Sequence, residues 1–360
     1  MNELLLFLLP VGAALLFLLL GWSWEQGRQR PQKKAAGLVS IIIPAYNSSA
    51  TIGQTLQSAA NSAYHNKEII VVNDTPDSTR QLCRKYGAIY LENKQRLGKA
   101  NALNQAAKQA RGSVLVFLDA DTVIHKDAIG MLAAWFADGS VAAVQPRYGV
   151  HNSGLLPSLL AVEDRLNQSF FKTSMFFGTM LGFRGCCIAV SRSAFERLGG
   201  WSDTIIEDID FCAKAVRNGY KVLYEPHAYA ETAEPATFSA MVRQKVRWGK
   251  GAWHVFRNHY RLYLTRPQFL IYMSAYIFVL IALVVAITWH LWMVLPALAL
   301  GTMAHIAMLS RNGGQKRSML LVPVYAAAFL PVISVCYLRG ILGAIMDRRK
   351  GRPELDLDSW

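Results

Sequence analysis

Charge is scarce in this chain, and negative charge scarcer still. Only 17% of its 360 residues are charged, and 24 acidic side chains face 38 basic ones, for a formal net charge of +14. The five cysteines, Cys83, Cys186, Cys187, Cys212 and Cys336, are odd in number and form no CxxC pair. They read as reduced thiols, with neither a disulfide framework nor a metal cage. No HExxH and no Cys/His spacing offers a zinc site, and no GxSxG offers a nucleophile elbow. GxGxxG and GxxxxGK[ST] are missing too, so dinucleotide and P-loop chemistry lack support. Much of the basic excess lies beside apolar segments and forms no basic-aromatic platform. Attraction to anionic lipid headgroups accounts for it, and nucleic acid is not an expected partner.

What is plentiful is apolar sequence, 52% of the chain, enough for one sizeable α/β core plus a few membrane segments. Leu4 to Leu20 is almost purely apolar and is followed by Arg28, Arg30, Lys33 and Lys34. That pattern predicts an uncleaved anchor in residues 1–23 and a basic cytoplasmic linker in 24–37; a signal peptide reads similarly but would carry a basic residue before the apolar run. Phe269 to Trp289 and Leu291 to Leu309 are each about one membrane thickness long. Met319 to Met346, with Pro323, Pro331 and Gly340, is long for one helix and short for two. The basic residues on both flanks favour a re-entrant or paired arrangement within a membrane region at 267–346, ahead of a polar tail at 347–360. The expected location is an integral protein of a bacterial inner or plasma membrane, with the domain between these segments in the cytoplasm.

Between these segments strand and helix signals alternate. "LVSIIIP", "KEIIVVND", "AIYLEN", "SVLVFLDAD" and "VAAVQPRYG" read as strands. "NSSATIGQTLQSAA" and "LGKANALNQAAKQARG" read as helices, the second closed by Gly112. This succession predicts a doubly wound α/β domain over 38–235, binding its ligands at the carboxyl ends of the strands. Pro44, Tyr46, Asp74, Asp119 and Asp121 fall at those ends. A lone aspartate there is often only a turn former. Asp119 and Asp121, however, are two residues apart where a strand runs out, and hard oxygen ligands so spaced suit Mg²⁺ or Mn²⁺ together with phosphate oxygens. Lys99 would share the neutralisation of a diphosphate.

The segments "SIIIPAYNSSATIGQTLQSA", "VVNDTPDST", "GKANALN", "FLDADT", "GGWSDTIIEDIDFCAKAVRNGYKVLYEP" and "QKVRW" stand in the order and spacing of the family 2 inverting glycosyltransferases. More narrowly, the chain resembles the membrane synthases of cellulose, chitin, hyaluronan and poly-N-acetylglucosamine. The resemblance implies a GT-A-like fold and assigns Asp74 to the uracil of a UDP-sugar, with Pro44 and Tyr46 framing the base. It places Lys99 near the diphosphate, Asp119 towards the donor sugar and Asp121 on the metal. Asp208, beside Glu207 in "IIEDID", matches the catalytic base, although Ile206 replaces the family's threonine and the part of Asp210 is open. Gln244, Arg247 and Trp248 match the QxxRW motif. Their i, i+3, i+4 spacing sets them on one face of a helix within 236–266, which also reads as an amphipathic interface helix. "GFRGCCIAVSR" stands where the family binds its acceptor, and Gly185 offers a backbone that a sugar can approach. His227 reads as structural.

The implied reaction is a single displacement that gives a β-linkage, with Asp208 taking the acceptor proton and the metal stabilising the departing UDP. The expected substrates are a UDP-sugar donor, UDP-N-acetylglucosamine or UDP-glucose, and a polysaccharide acceptor that is extended and moved across the membrane. The rival is one sugar placed on a lipid, as in ceramide glucosyltransferases. Membrane lipid and a small accessory membrane subunit complete the implied partners.

Overall fold

Strand β1 (Val39–Ala45) forms because three successive isoleucines, Ile41 to Ile43, have no exposed surface. Burying each is worth about 1.5–3 kcal/mol, and a run apolar on both faces suits the middle of a parallel sheet. The computed structural model describes residues 19–27, 31, 37–75, 77–271, 273, 321, 324–325 and 329–349. The apolar runs expected at Leu4 to Leu20 and at Phe269 to Leu309 lie almost wholly outside them. Backbone contacts divide the chain into two units, one holding 37–151 and 179–233, the other 19–27, 152–178 and the described residues from 234 on.

The first unit is built on one sheet. Its strands are β1, β2 (Lys67–Asn73), β3 (Ile89–Glu92), β4 (Val114–Leu118), β5 (Val123–Ile124), β6 (Val141–Val150), β7 (Cys187–Ser191) and β8 (Lys221–Thr232), in the order β3-β2-β1-β4-β7-β6-β8-β5. β3, β2, β1 and β4 run parallel, β7 is antiparallel to β4 and to β6, and β8 is parallel to β6. Helices α1 (Ile52–Ala60) and α2 (Lys99–Gln109) supply crossovers. This is the α/β architecture expected, with the five strands read from the sequence at β1, β2, β3, β4 and β6.

One expectation changes. Helix α2 ends before Gly112, which does not adopt the left-handed backbone of a helix-closing glycine. Gly112 is needed for close approach: a Cβ there would lie 2.6 Å from the Ser40 amide nitrogen and 2.7 Å from the Leu38 carbonyl oxygen. Its amide donates to Ser40 Oγ at 2.8 Å, Ser40 donates to buried Glu68 at 2.6 Å, and Glu68 binds the Arg111 amide and guanidinium. This knot locks β1, β2 and the start of β4 at the end of the sheet opposite the strand mouths.

The second unit is helical. It contains α3 (Leu155–Phe176), α5 (Phe238–Leu264) and α6 (Leu330–Arg349), while α4 (Glu207–Arg217) belongs to the sheet unit. Leu159, Leu160 and Val162 of α3, Met241 of α5 and Ile333 of α6 form its apolar core with Tyr325. Helices α5 and α6 touch backbone to backbone: a Cβ on Gly340 would collide with the Val246 carbonyl oxygen, and one on Gly249 with that of Tyr337. Pro331 stands in the first turn of α6, where a missing amide costs no helical hydrogen bond. Among the described residues α6 is the one helix long and apolar enough to cross a membrane, with mean hydropathy 1.5 over Leu330–Arg348.

Substituting Gly112 by alanine forces backbone against backbone and is expected to cost about 1–3 kcal/mol, measured as a lowered denaturation midpoint of the purified chain. An unchanged midpoint would show that the contact yields.

Candidate active site

The parallel strands deliver their carboxyl ends to one edge, and acidic side chains collect there. Asp119 leaves β4 with its amide bonded to the Cys186 carbonyl at 2.9 Å, which ties the mouth of β4 to the chain entering β7. Lys99, first residue of α2, reaches Asp119 Oδ1 at 2.7 Å and Glu207 Oε1 at 3.4 Å. Glu207 and Asp208 open α4, whose first turn also carries Asp210. The partial positive charge of a helix start favours acids there, so structural placement and chemistry coincide. Asp210 is engaged by the Ser202 hydroxyl and by Lys214 at 3.5 Å.

Crowding shifts the proton affinities of two acids here, Asp208 and Asp121. Burial, then the neighbouring Glu207 charge, pushes Asp208 from 3.8 up to about 7, against the opposing pull of Lys99. Burial and Asp119 likewise raise Asp121, again opposed by Lys99. Burial alone would lower Lys99, but Asp119 and Glu207 outweigh it and hold the ammonium firmly charged. A carboxyl near 7 that sits beside a cation is suited to accept a proton at neutral pH.

The surroundings fix these groups from unexpected directions. Asp74, at the mouth of β2, accepts from the Leu97 and Gly98 amides, each at 3.0 Å, and from Asn93 at 2.6 Å. Its carboxylate thus sets the loop that launches Lys99. Asn73 is fully buried, its amide donating to Asp77 and Tyr90. Pro44 pairs with Val72 inside the sheet, and Tyr46 is 41% exposed beneath the Arg96 guanidinium, 4.2 Å from the ring centre. Gly185 proves necessary for a reason the sequence did not suggest: a Cβ there would lie 2.7 Å from Asp208 Oδ2. Its loop is pinned by fully buried Gln145, which accepts from the Arg184 amide at 2.8 Å, and by the Tyr148 hydroxyl, which donates to the Arg184 and Cys187 carbonyls.

Three of these partners escaped sequence reasoning. Asn104 clasps the backbone of Trp201 on both sides, at 2.9 Å and 2.8 Å, steadying the turn that leads into α4. His151 bonds the Asp121 carbonyl at 2.9 Å from the end of β6. Arg96 caps Tyr46. Asn104 lies inside "GKANALN" and was findable; His151 and Arg96 carry no local signal.

Among the described residues no group of three or more His, Cys, Asp or Glu side chains is arranged to hold a metal. Asp119 and Asp121 are hard oxygen donors whose mutual repulsion a divalent cation would relieve, so they fit part of a coordination shell that phosphate oxygens would complete. In the helical unit Gln244, Arg247 and Trp248 lie on α5, and Gln244 Oε1 is buried with no hydrogen-bond partner among the described residues.

Residues 40–199 match the model of glycosyl transferase family 2. That stretch is similar to a family 2 glycosyltransferase domain. Over 243 residues, 65% of the chain, it is 31% identical to poly-beta-1,6-N-acetyl-D-glucosamine synthase of Staphylococcus aureus. Over 226 residues, 60% of the chain, it is 31% identical to that of Staphylococcus epidermidis. The matches span 59% and 55% of those relatives' lengths. Among solved structures, a mannosyltransferase from Pyrobaculum calidifontis, in complex with GDP-Man and Mn²⁺, shares the fold with a TM-score of 0.65 and 22% identity over 96% of this chain and 98% of that one. The family match ends at residue 199, so Asp208 and the QxxRW helix lie beyond it.

If Asp208 is the proton acceptor in a sugar transfer, kcat/KM should fall as pH drops through about 7. A pH series on the purified protein tests this. An acid limb near 4 would mean that a carboxylate other than Asp208 accepts the proton.

Proposed function

We propose that the protein is a membrane-embedded inverting glycosyltransferase that extends a β-linked polysaccharide from a UDP-sugar, with N-acetylglucosamine as the favoured sugar. The observation that carries this is the convergence of Lys99, Asp119, Glu207 and Asp208 at the strand mouths of a family 2 domain. Likeness to the staphylococcal synthases supports the choice of polymer and sugar, and the GDP-Man and Mn²⁺ of the archaeal structure support a nucleotide-sugar with a divalent ion.

In this reading Pro44 and Tyr46 frame the base and Asp74 serves its recognition, directly or through the loop it holds. Lys99 neutralises part of the diphosphate, and Asp119 faces the donor sugar. Asp121, with Asp119, would hold Mg²⁺ or Mn²⁺, which when bound supplies Lewis-acid stabilisation of the leaving diphosphate. Asp208 draws the proton from the acceptor hydroxyl as the hydroxyl oxygen bonds to the anomeric carbon and the bond to UDP breaks. Glu207 keeps Lys99 in place and raises the basicity of Asp208. Gly185 gives the base its room, and Gln244, Arg247 and Trp248 serve the acceptor sugar and the diphosphate. The apolar segments hold the protein in a membrane and receive the polymer, alone or with a small accessory membrane subunit.

Purified protein in detergent with Mn²⁺ and radiolabelled UDP-N-acetylglucosamine should yield a labelled polymer, and Asp208→Asn should reduce that yield by at least roughly a hundredfold. Label on a lipid carrying one sugar would replace the polymer reading with single-sugar transfer. Full activity in Asp208→Asn would remove the assigned base.

A further inference from the structure

Helix α5 carries the QxxRW residues, and between the first two of them it buries a cation. Lys245 has 2% of its side chain exposed, and its Nζ lies 2.8 Å from Glu163 Oε2 on α3. The same Nζ stands 4.2 Å from the centre of the Trp248 ring, one helical turn further along α5. Lysine is almost never fully buried without a partner, and here it has one on each side. The neighbours on the two helices, Leu159, Leu160, Val162 and Met241, already form an apolar core. An apolar pair at these positions would pack at least as well, since exchanging a buried ion pair for apolar residues of like volume is often neutral or stabilising. Stability therefore does not explain the charge.

Geometry does. Glu163 sets where the ammonium stands, and the ammonium, over the electron-rich face of the indole, sets how the ring is turned. We infer that Lys245, held by Glu163, is a positioning residue that orients the Trp248 indole for the acceptor sugar. This rests on the acceptor role proposed above for Trp248.

The test uses the full chain, a short β-1,6-linked N-acetylglucosamine oligosaccharide as acceptor, and separate KM values for acceptor and donor. Glu163→Gln combined with Lys245→Met removes both charges and leaves neither stranded. It should melt at the wild-type temperature yet raise the acceptor KM roughly three- to thirtyfold, the range of one cation–π contact, with donor KM unmoved. Lys245→Arg, which keeps a cation over the ring, should retain most of the wild-type acceptor KM. Glu163→Asp, which draws the ammonium back, should raise it; this variant decides the matter if the double variant does not fold. Wild-type acceptor KM in the double variant or in Glu163→Asp, with Trp248→Ala impaired, would overturn the inference alone. An unmoved acceptor KM in Trp248→Ala would overturn the acceptor role of Trp248, and the inference with it.

Discussion

The ion pair between Lys99 and Asp119 is the contact on which the rest of the acidic site depends. Asp119, Asp121, Glu207 and Asp208 come from the end of β4 and the start of α4; Asp208 feels the charges of Glu207 and Asp119, Asp121 feels that of Asp119, and Lys99 opposes both. Carboxylates so close cannot all ionise unaided, because each unscreened negative charge lifts the proton affinity of the next. Lys99 opposes that rise at Asp208 and at Asp121, and Asp208 stands near 7.

That ammonium must be held still, and the fold devotes several unrelated contacts to it. Asp74 fixes the loop that opens α2, and Asn104, from the same helix, clasps the turn that opens α4. Lys99 and the start of α4, with Asp208, are therefore joined through one helix. Gly185 leaves the volume that Asp208 occupies, and Gln145 and Tyr148 keep its loop in register. Asp74 thus acquires a role that a reading of strand mouths alone would not assign: its carboxylate organises the site as well as lying within it.

Much of this was legible in the sequence, and the reasons for success and failure are physical. Strands buried on both faces announce themselves as continuous apolar runs, so β1, β2 and β4 were plain, and with them the positions of Asp74, Asp119 and Asp121. The helical placement of Gln244, Arg247 and Trp248 followed from 3.6-residue spacing. Gly112 misled because a glycine after a helix normally signals a left-handed cap, whereas here it answers to Ser40, 72 residues away. Gly185 was singled out as a backbone that a sugar can approach, and only the folded chain shows Asp208 beside it. His151 and the Glu163–Lys245 pair were invisible because their partners come from distant elements, and no local pattern encodes such meetings.

The most direct test of the account is the pH profile of kcat/KM in Lys99→Met. Lys99 lowers the proton affinity of Asp208, so its removal should move the acid limb to higher pH than in the wild-type protein. A limb that stays in place, or moves towards acid, would show that Lys99 does not set the charge of Asp208.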